Sequence, residues 1–218
     1  MRLETLTNEP KIIAVVGNPN EAKSNLLYHL LEEFKKLGTF NLFTYGLRNK
    51  VDKAVEINSI EELEVIRDSI VILDEVMTLW DLDDRSAKRM IEKTLRLIFH
   101  NNNILIICLT PENVKKFIAG KIDQYFFKKC NLSEFINGSK TKSVVLGYKG
   151  NEMGSSVLNL DKNESLFYDG LHYEKINVPY LEKYDVKRKN KSIINVHKNV
   201  EKNVVQNVEE KKLEKISN

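Results

Sequence analysis

The segment Lys11–Leu27, which reads KIIAVVGNPNEAKSNLL, constrains the fold of this chain more than any other. Five consecutive apolar residues, Ile12–Val16, predict a buried strand, and the apolar spacing across Ala22–Leu37 predicts an amphipathic helix. The turn between them closes on Lys23 and Ser24. This order predicts a loop that binds phosphate through backbone N–H groups and the positive end of the helix.

The loop departs at one position from the usual pattern G-x-x-x-x-G-K-[ST]. Gly17 opens it, but Ala22 stands where the second glycine belongs. A methyl group there is expected to crowd the phosphate or to require an unfavourable φ angle. Lys23 is predicted to reach the β- and γ-phosphates, and the Ser24 hydroxyl to bind Mg²⁺. The residues predicted to contact the nucleotide are Gly17, Asn18, Pro19, Asn20, Glu21, Ala22, Lys23, Ser24 and Asn25.

A second apolar strand ends in two acids. Ser69–Val76 reads SIVILDEV, as expected for a buried parallel strand whose carboxyl end meets a ligand. Asp74 is predicted to hold the metal, and Glu75 to orient or deprotonate the attacking water. Lys23 and Glu75 are the predicted catalytic residues. An acid directly after the strand's aspartate indicates hydrolysis of ATP, so ATP and Mg²⁺ are the expected cofactors.

A GTPase is the main alternative among nucleotide-binding proteins. Gly17 to Ser24 resembles the first motif of Era-like and FeoB-like GTPases, and Asn49–Asp52 matches their guanine-binding N-K-x-D. In that family the guanine motif follows the second acidic strand, whereas here it precedes Ile70–Asp74. We therefore interpret Asn49–Asp52 as a polar loop. A GTPase-like switch, and an adaptor that has lost catalysis through Ala22, remain as alternatives.

Downstream of Glu75, Ser86–Phe99 predicts an amphipathic helix with a basic side. Ile104–Leu109 then predicts a further, all-apolar strand, with Thr110 at its carboxyl end and a helix over Glu112–Ala119. Together with the two nucleotide motifs, this order resembles the HerA/FtsK-type DNA-pumping ATPases. The resemblance covers about residues 10–130, and it is greatest to the small viral genome-packaging and Zot-like ATPases.

The resemblance implies an α/β P-loop NTPase fold of the additional-strand, RecA-like type, with a mostly parallel sheet flanked by helices. It implies that Thr110 is a third catalytic residue, which senses the γ-phosphate, although Pro111 and Glu112 follow where the family usually shows a glutamine. It also implies a ring, such as a hexamer or pentamer, that acts on double-stranded DNA, with a capsid or membrane-complex protein as a further expected partner. Candidates for an arginine that reaches the neighbouring subunit's γ-phosphate are Arg85, Arg89 and Arg96.

The rest of the chain predicts one domain and a tail. Residues 1–186 are predicted to form the ATPase domain, with antiparallel strands in about 131–186, including Ser143–Tyr148, Ser156–Leu160 and Ser165–Tyr168. Residues 187–218 carry nine basic and four acidic side chains, so the tail has a net charge of +5 against +3 for the chain. A flexible basic tail can bind DNA phosphates. The sequence shows no transmembrane stretch, which predicts a protein of the host cytoplasm, or of the virion if the protein is viral.

Overall fold

The computed structural model describes residues 4–74, 85–114, 116–130 and 156–184. The helices are α1 (Glu4–Thr7), α2 (Lys23–Leu37), α3 (Arg85–His100) and α4 (Lys116–Ala119). The strands are β1 (Lys11–Val16), β2 (Asn41–Tyr45), β3 (Ala54–Glu56), β4 (Ser69–Leu73), β5 (Ile104–Leu109), β6 (Gln124–Phe127), β7 (Glu164–Tyr168) and β8 (Tyr173–Asn177). Short 3₁₀ helices occupy Ile60–Glu64, Pro111–Asn113 and Glu182–Tyr184.

The strands form one sheet in the order β3-β2-β4-β5-β1-β6-β7-β8. The first six are parallel, and β7 and β8 continue the sheet in antiparallel fashion. Strand β5 lies between β1, which leads into the lysine loop, and β4, which leads to Asp74. This inserted strand defines the additional-strand type, so the predicted fold class is confirmed.

The central strands are buried because their sequences are almost wholly apolar. All residues of β1, β4 and β5 are buried. Helix α3 covers them with Ile91, Leu95 and Ile98, which recur at helical spacing and are at most 2% exposed. Parallel register places Val16 beside Leu109 and beside Phe127, so β1, β5 and β6 end together. The residues that follow these strands therefore meet at one edge of the sheet.

Two predicted elements were wrong in detail. The helix predicted over Glu112–Ala119 is two short helices, because Val114, at φ −76° and ψ 76°, departs from helical geometry. Residues 156–158 are helical, although Ser156–Leu160 was predicted as a strand. Val157 and Leu160 are the buried positions there, and a spacing of three residues suits a helical turn better than a strand. The predicted strand Ser143–Tyr148 lies outside the described residues.

The chain divides into two units, residues 1–181 and 182–218. The first contains the sheet. In the second, the described residues are the 3₁₀ turn Glu182–Tyr184, where the Lys183 Nζ lies 4.9 Å from the centre of the Tyr184 ring. The predicted tail at 187–218 lies outside the described residues. Within the described part of the chain, no helix is both long and apolar enough to span a membrane.

Candidate nucleotide site

The loop after β1 is fixed at its start by the neighbouring strands. The Gly17 N–H donates to the Leu109 carbonyl at 3.3 Å, and the Asn18 N–H donates to the Lys129 carbonyl at 3.1 Å. A Cβ atom added at Gly17 would lie 2.5 Å from the Lys128 Cβ, which is closer than such atoms approach in proteins. Position 17 therefore requires glycine because the chain beyond β6 passes directly against it.

The loop reaches α2 through two left-handed residues. Asn20 has φ 66° and Ala22 has φ 56°. Ala22 is the N-cap of α2, and its carbonyl accepts the Leu26 N–H at 3.3 Å. The unfavourable φ expected from the missing glycine is thus confirmed, at a typical cost of about 1–2 kcal/mol for a residue with a Cβ. The loop conformation forms despite that cost.

Replacing Ala22 with glycine is expected to raise the free energy of unfolding. Glycine removes the left-handed strain, although its larger conformational entropy in the unfolded chain offsets part of the gain, so we expect a net increase of about 0.5–1 kcal/mol. Urea denaturation measures this. Ala54→Gly in β3 is the matched control and should lower the free energy of unfolding, since Ala54 is not among the positive-φ residues of the described chain. A loss of stability in Ala22→Gly would contradict the strain.

The Lys23 side chain turns back toward the start of the loop. Its Nζ donates to the carbonyls of Gly17 and Asn18, each at 2.8 Å. The ammonium therefore lies beside the loop, where phosphate oxygens would be attracted by its charge.

Ser24 and Asp74 meet across the end of the sheet. The Ser24 hydroxyl donates to the Asp74 Oδ2 at 2.8 Å, although the residues are 50 positions apart in the chain. Asp74 is 5% exposed, and its N–H donates to the Tyr45 carbonyl at 2.9 Å. A hydroxyl and a carboxylate are the oxygen donors that Mg²⁺ prefers, so these two residues fit the predicted metal. Glu75 lies outside the described residues, directly after Asp74.

Thr110 follows β5 and therefore lies at the sheet edge between Gly17 and Asp74 in strand order. Its hydroxyl donates to the Glu112 Oε1 at 3.1 Å and accepts a hydrogen bond from the Asn113 Nδ2 at 2.8 Å. The turn that follows thus holds the Thr110 side chain. Of the predicted site residues, the structure brings the loop, Asp74 and Thr110 to one edge of the sheet.

Lys128 is a buried cation beside the loop that sequence reasoning missed. It is 0% exposed, and its Nζ donates to the carbonyls of Lys162 at 2.6 Å and Glu164 at 2.5 Å. Burial lowers the pKa of Lys128 to about 8, although the charges of Glu21 and Glu164 oppose the shift. Lys128 therefore joins the end of β6 to the start of β7 behind the loop. Its only signal in the sequence is its position directly after the apolar run Tyr125–Phe127.

A second contact that sequence reasoning missed involves Asn25, in the first turn of α2. The Asn25 Nδ2 donates to the Pro179 carbonyl at 3.1 Å, and the Leu181 N–H donates to the Asn25 Oδ1 at 3.0 Å. The side chain of Asn25, a predicted nucleotide contact, is thus bonded to protein backbone. Partners more than 150 positions away leave no local pattern to detect.

The guanine-like motif lies on the β2 side of the sheet. Asn49–Asp52 follows β2, and β4 and β5 lie between β2 and β1. The four residues line a cavity at that side of the sheet, and the Asn49 N–H donates to the Tyr28 hydroxyl at 2.9 Å. Burial raises the pKa of Tyr28. The interpretation of Asn49–Asp52 as a loop is confirmed.

The three candidate arginines lie on α3. Arg89 and Arg96 are exposed, whereas the side chain of Arg85 is outside the described part of the structure. Exposure leaves Arg89 and Arg96 available to a neighbouring molecule. Their role in trans remains a prediction.

No protein-family model and no curated protein matches the chain. Several solved structures do. The genome-packaging NTPase B204 from Sulfolobus turreted icosahedral virus 2, in complex with sulfate, aligns with a TM-score of 0.60 at 17% identity, covering 80% of this chain and 99% of that chain. B204 has also been solved in complex with ATPγS and with AMPPCP.

Two further structures are similar over less of their own length. The pCW3 conjugation coupling protein TcpA, in its monomer form with ATPγS, has a TM-score of 0.54 at 15% identity, covering 83% of this chain and 62% of that chain. The cytoplasmic domain of EssC has a TM-score of 0.55 at 14% identity, covering 81% of this chain and 41% of that chain. The chain therefore has the P-loop NTPase fold with an additional central strand, and its resemblance to the HerA/FtsK-type and viral genome-packaging ATPases is confirmed at the level of the fold.

Proposed function

We propose that this chain hydrolyses ATP and uses the energy to move duplex DNA, as a packaging-type motor of a virus or mobile element. The observation that carries the hydrolytic part is the 2.8 Å hydrogen bond from Ser24 to Asp74, beside a loop bounded by the Lys23 ammonium. Phosphoryl transfer needs cationic groups and hard oxygen ligands at one place. This edge of the sheet has both.

Each site residue has a role in this proposal. Lys23 and the loop N–H groups hold the phosphates, and Thr110 contacts the γ-phosphate. Ser24 and Asp74 would hold Mg²⁺, which when bound would stabilise the negative charge of the phosphates. Glu75 accepts a proton from the attacking water, whose oxygen bonds to the γ-phosphorus as the bond to the leaving ADP oxygen breaks.

The DNA part of the proposal is supported by the neighbours and by charge. B204 is a genome-packaging NTPase, and TcpA is a conjugation coupling protein. Helix α3 exposes Arg89 and Arg96, and the segment 187–218 has a net charge of +5. Cationic groups of this kind bind the DNA backbone without sequence preference and with strong salt dependence.

We further propose that the chain acts as a ring, a hexamer or pentamer, in which the subunits hydrolyse ATP in turn around DNA. Arg85, Arg89 or Arg96 would then reach the γ-phosphate held by a neighbouring subunit. A capsid or membrane-complex protein would dock the ring, which would work in the host cytoplasm or on the virion. These assignments rest on the resemblance to packaging ATPases.

The alternatives have less support. In GTPases of this type the base-selective motif follows the second acidic strand in the chain, whereas Asn49–Asp52 precedes β4. In an adaptor that has lost catalysis, we would not expect the strained φ of 56° at Ala22 or the hydrogen bond between Ser24 and Asp74 to be retained. Retained strain is more typical of a working site than of a decayed one.

Hydrolysis of ATP and of GTP by the purified chain tests the proposed activity. We expect phosphate release that depends on Mg²⁺ and is faster with ATP than with GTP. Faster hydrolysis of GTP would favour the switch. A chain that hydrolyses neither nucleotide would contradict the proposed ATPase.

A further inference from the structure

The segment Pro179–Leu181 has an aromatic residue at its centre, and its backbone is hydrogen-bonded to the first turn of α2 on both sides of that residue. Asn25 accepts the Leu181 N–H at 3.0 Å and donates to the Pro179 carbonyl at 3.1 Å. These bonds bracket Tyr180, which is 54% exposed. The backbone on both sides of this half-exposed aromatic residue is therefore hydrogen-bonded to Asn25, which directly follows Ser24.

This segment approaches the loop from the side opposite Asp74. It follows β8, the edge strand beyond β6 and β7, whereas Asp74 follows β4 on the other side of β1. Just before the segment, Val178 is fully buried, and its N–H donates to the Asn163 carbonyl at 2.6 Å. The segment is therefore anchored at Val178 and again at Asn25.

A nucleotide in this site would have a fixed direction. Its terminal phosphate would lie toward Ser24 and Asp74, where the proposed metal site is. Its base would then lie on the other side of the start of α2 from Asp74, which is the side where Pro179–Leu181 lies. An aromatic side chain offers a flat apolar surface, on which bases of any kind can stack.

We propose that Tyr180 is the platform on which the base of the bound nucleotide stacks, and that Asn25 is the positioning residue that holds it there. This inference rests on the proposed nucleotide-binding function. Because Asn25 fixes the backbone on both sides, less freedom is lost when a ligand binds, which favours affinity. Stacking is tolerant of base identity, so Tyr180 contributes affinity for the nucleoside part and little preference for ATP over GTP.

Calorimetric titration of the full chain with Mg·ATP and with Mg·tripolyphosphate tests this inference, because tripolyphosphate has the phosphates but no base. Tyr180→Ala is expected to weaken ATP binding on the order of tenfold, while tripolyphosphate binding is unchanged. Tyr180→Phe should bind ATP as the wild type does. Asn25→Ala should weaken ATP more than tripolyphosphate. Leu171→Ala, which removes a 73% exposed apolar side chain from the turn between β7 and β8, is the control and should change neither affinity.

The outcomes separate this inference from the proposed function. If Tyr180→Ala binds ATP with wild-type affinity, Tyr180 is not the platform. If it loses affinity for ATP and for tripolyphosphate equally, Tyr180 is again not the platform. In both cases the ATPase proposal stands. A wild-type chain that binds tripolyphosphate and ATP equally well shows that the base is not contacted, and it also overturns the platform. A wild-type chain that binds neither overturns the proposed function together with the platform.

Discussion

Glu75→Gln is expected to abolish ATP turnover and leave ATP binding intact. The substitution keeps the size of the side chain but removes the carboxylate that would accept a proton from the attacking water. General-base catalysis typically contributes about 10²–10⁴-fold, so turnover should fall by at least about 100-fold. Phosphate release measures turnover, and titration with ATP measures affinity.

Glu61→Gln is the matched control for this prediction. This substitution makes the same chemical change at an exposed side chain of the 3₁₀ helix Ile60–Glu64, so turnover should equal that of the wild type. If Glu75→Gln hydrolyses ATP at the wild-type rate, Glu75 is not the base. If it fails to bind ATP, the residue contributes to binding and the assigned role is also wrong.

Lys23→Ala is expected to weaken ATP binding and to remove turnover with it. The ammonium lies 2.8 Å from two loop carbonyls, and in the proposed site it is the positive charge that would bind the phosphates. A hydrogen bond to a charged group is typically worth about 1.5–3 kcal/mol, which corresponds to roughly 10- to 150-fold in affinity. Titration of the variant with ATP measures the loss.

Lys36→Ala controls for removal of a lysine from the same helix. The Lys36 side chain is 68% exposed and pairs with Glu33 at the far end of α2. Its removal should leave ATP affinity unchanged, and thermal denaturation of both variants would show whether they remain folded. Wild-type affinity in a folded Lys23→Ala variant would contradict the phosphate role of Lys23.

The long apolar elements of this fold could be predicted from the sequence because short stretches of sequence show which of their residues are buried. Strands β1, β4 and β5 are runs of apolar residues, and α2 and α3 repeat apolar residues at helical spacing. Strands β2, β3, β6 and β8 were not predicted. Strand β8 reads YEKIN, and β3 has three residues that are exposed or half-buried, so neither carries a strong pattern.

The candidate site was predictable where it depends on one loop and one strand end, and not where it depends on tertiary contacts. The Lys-Ser pair and the acid after β4 identified the two sides of the site in advance. Lys128 and Pro179–Leu181 reach the loop through the pairing of β6, β7 and β8, which no short motif encodes. Ala22 replaces the usual second glycine of the loop, and the loop still forms because Ala22 itself adopts the left-handed conformation.

We propose above that ATP hydrolysis by this chain is coupled to duplex DNA. ATP turnover measured with and without duplex DNA, at low and at moderate salt, tests it most directly. We expect DNA to stimulate turnover, the stimulation to weaken as salt rises, and Glu75→Gln to abolish both basal and stimulated turnover. Turnover that depends on Glu75 but does not change with duplex DNA at low salt would contradict the DNA motor.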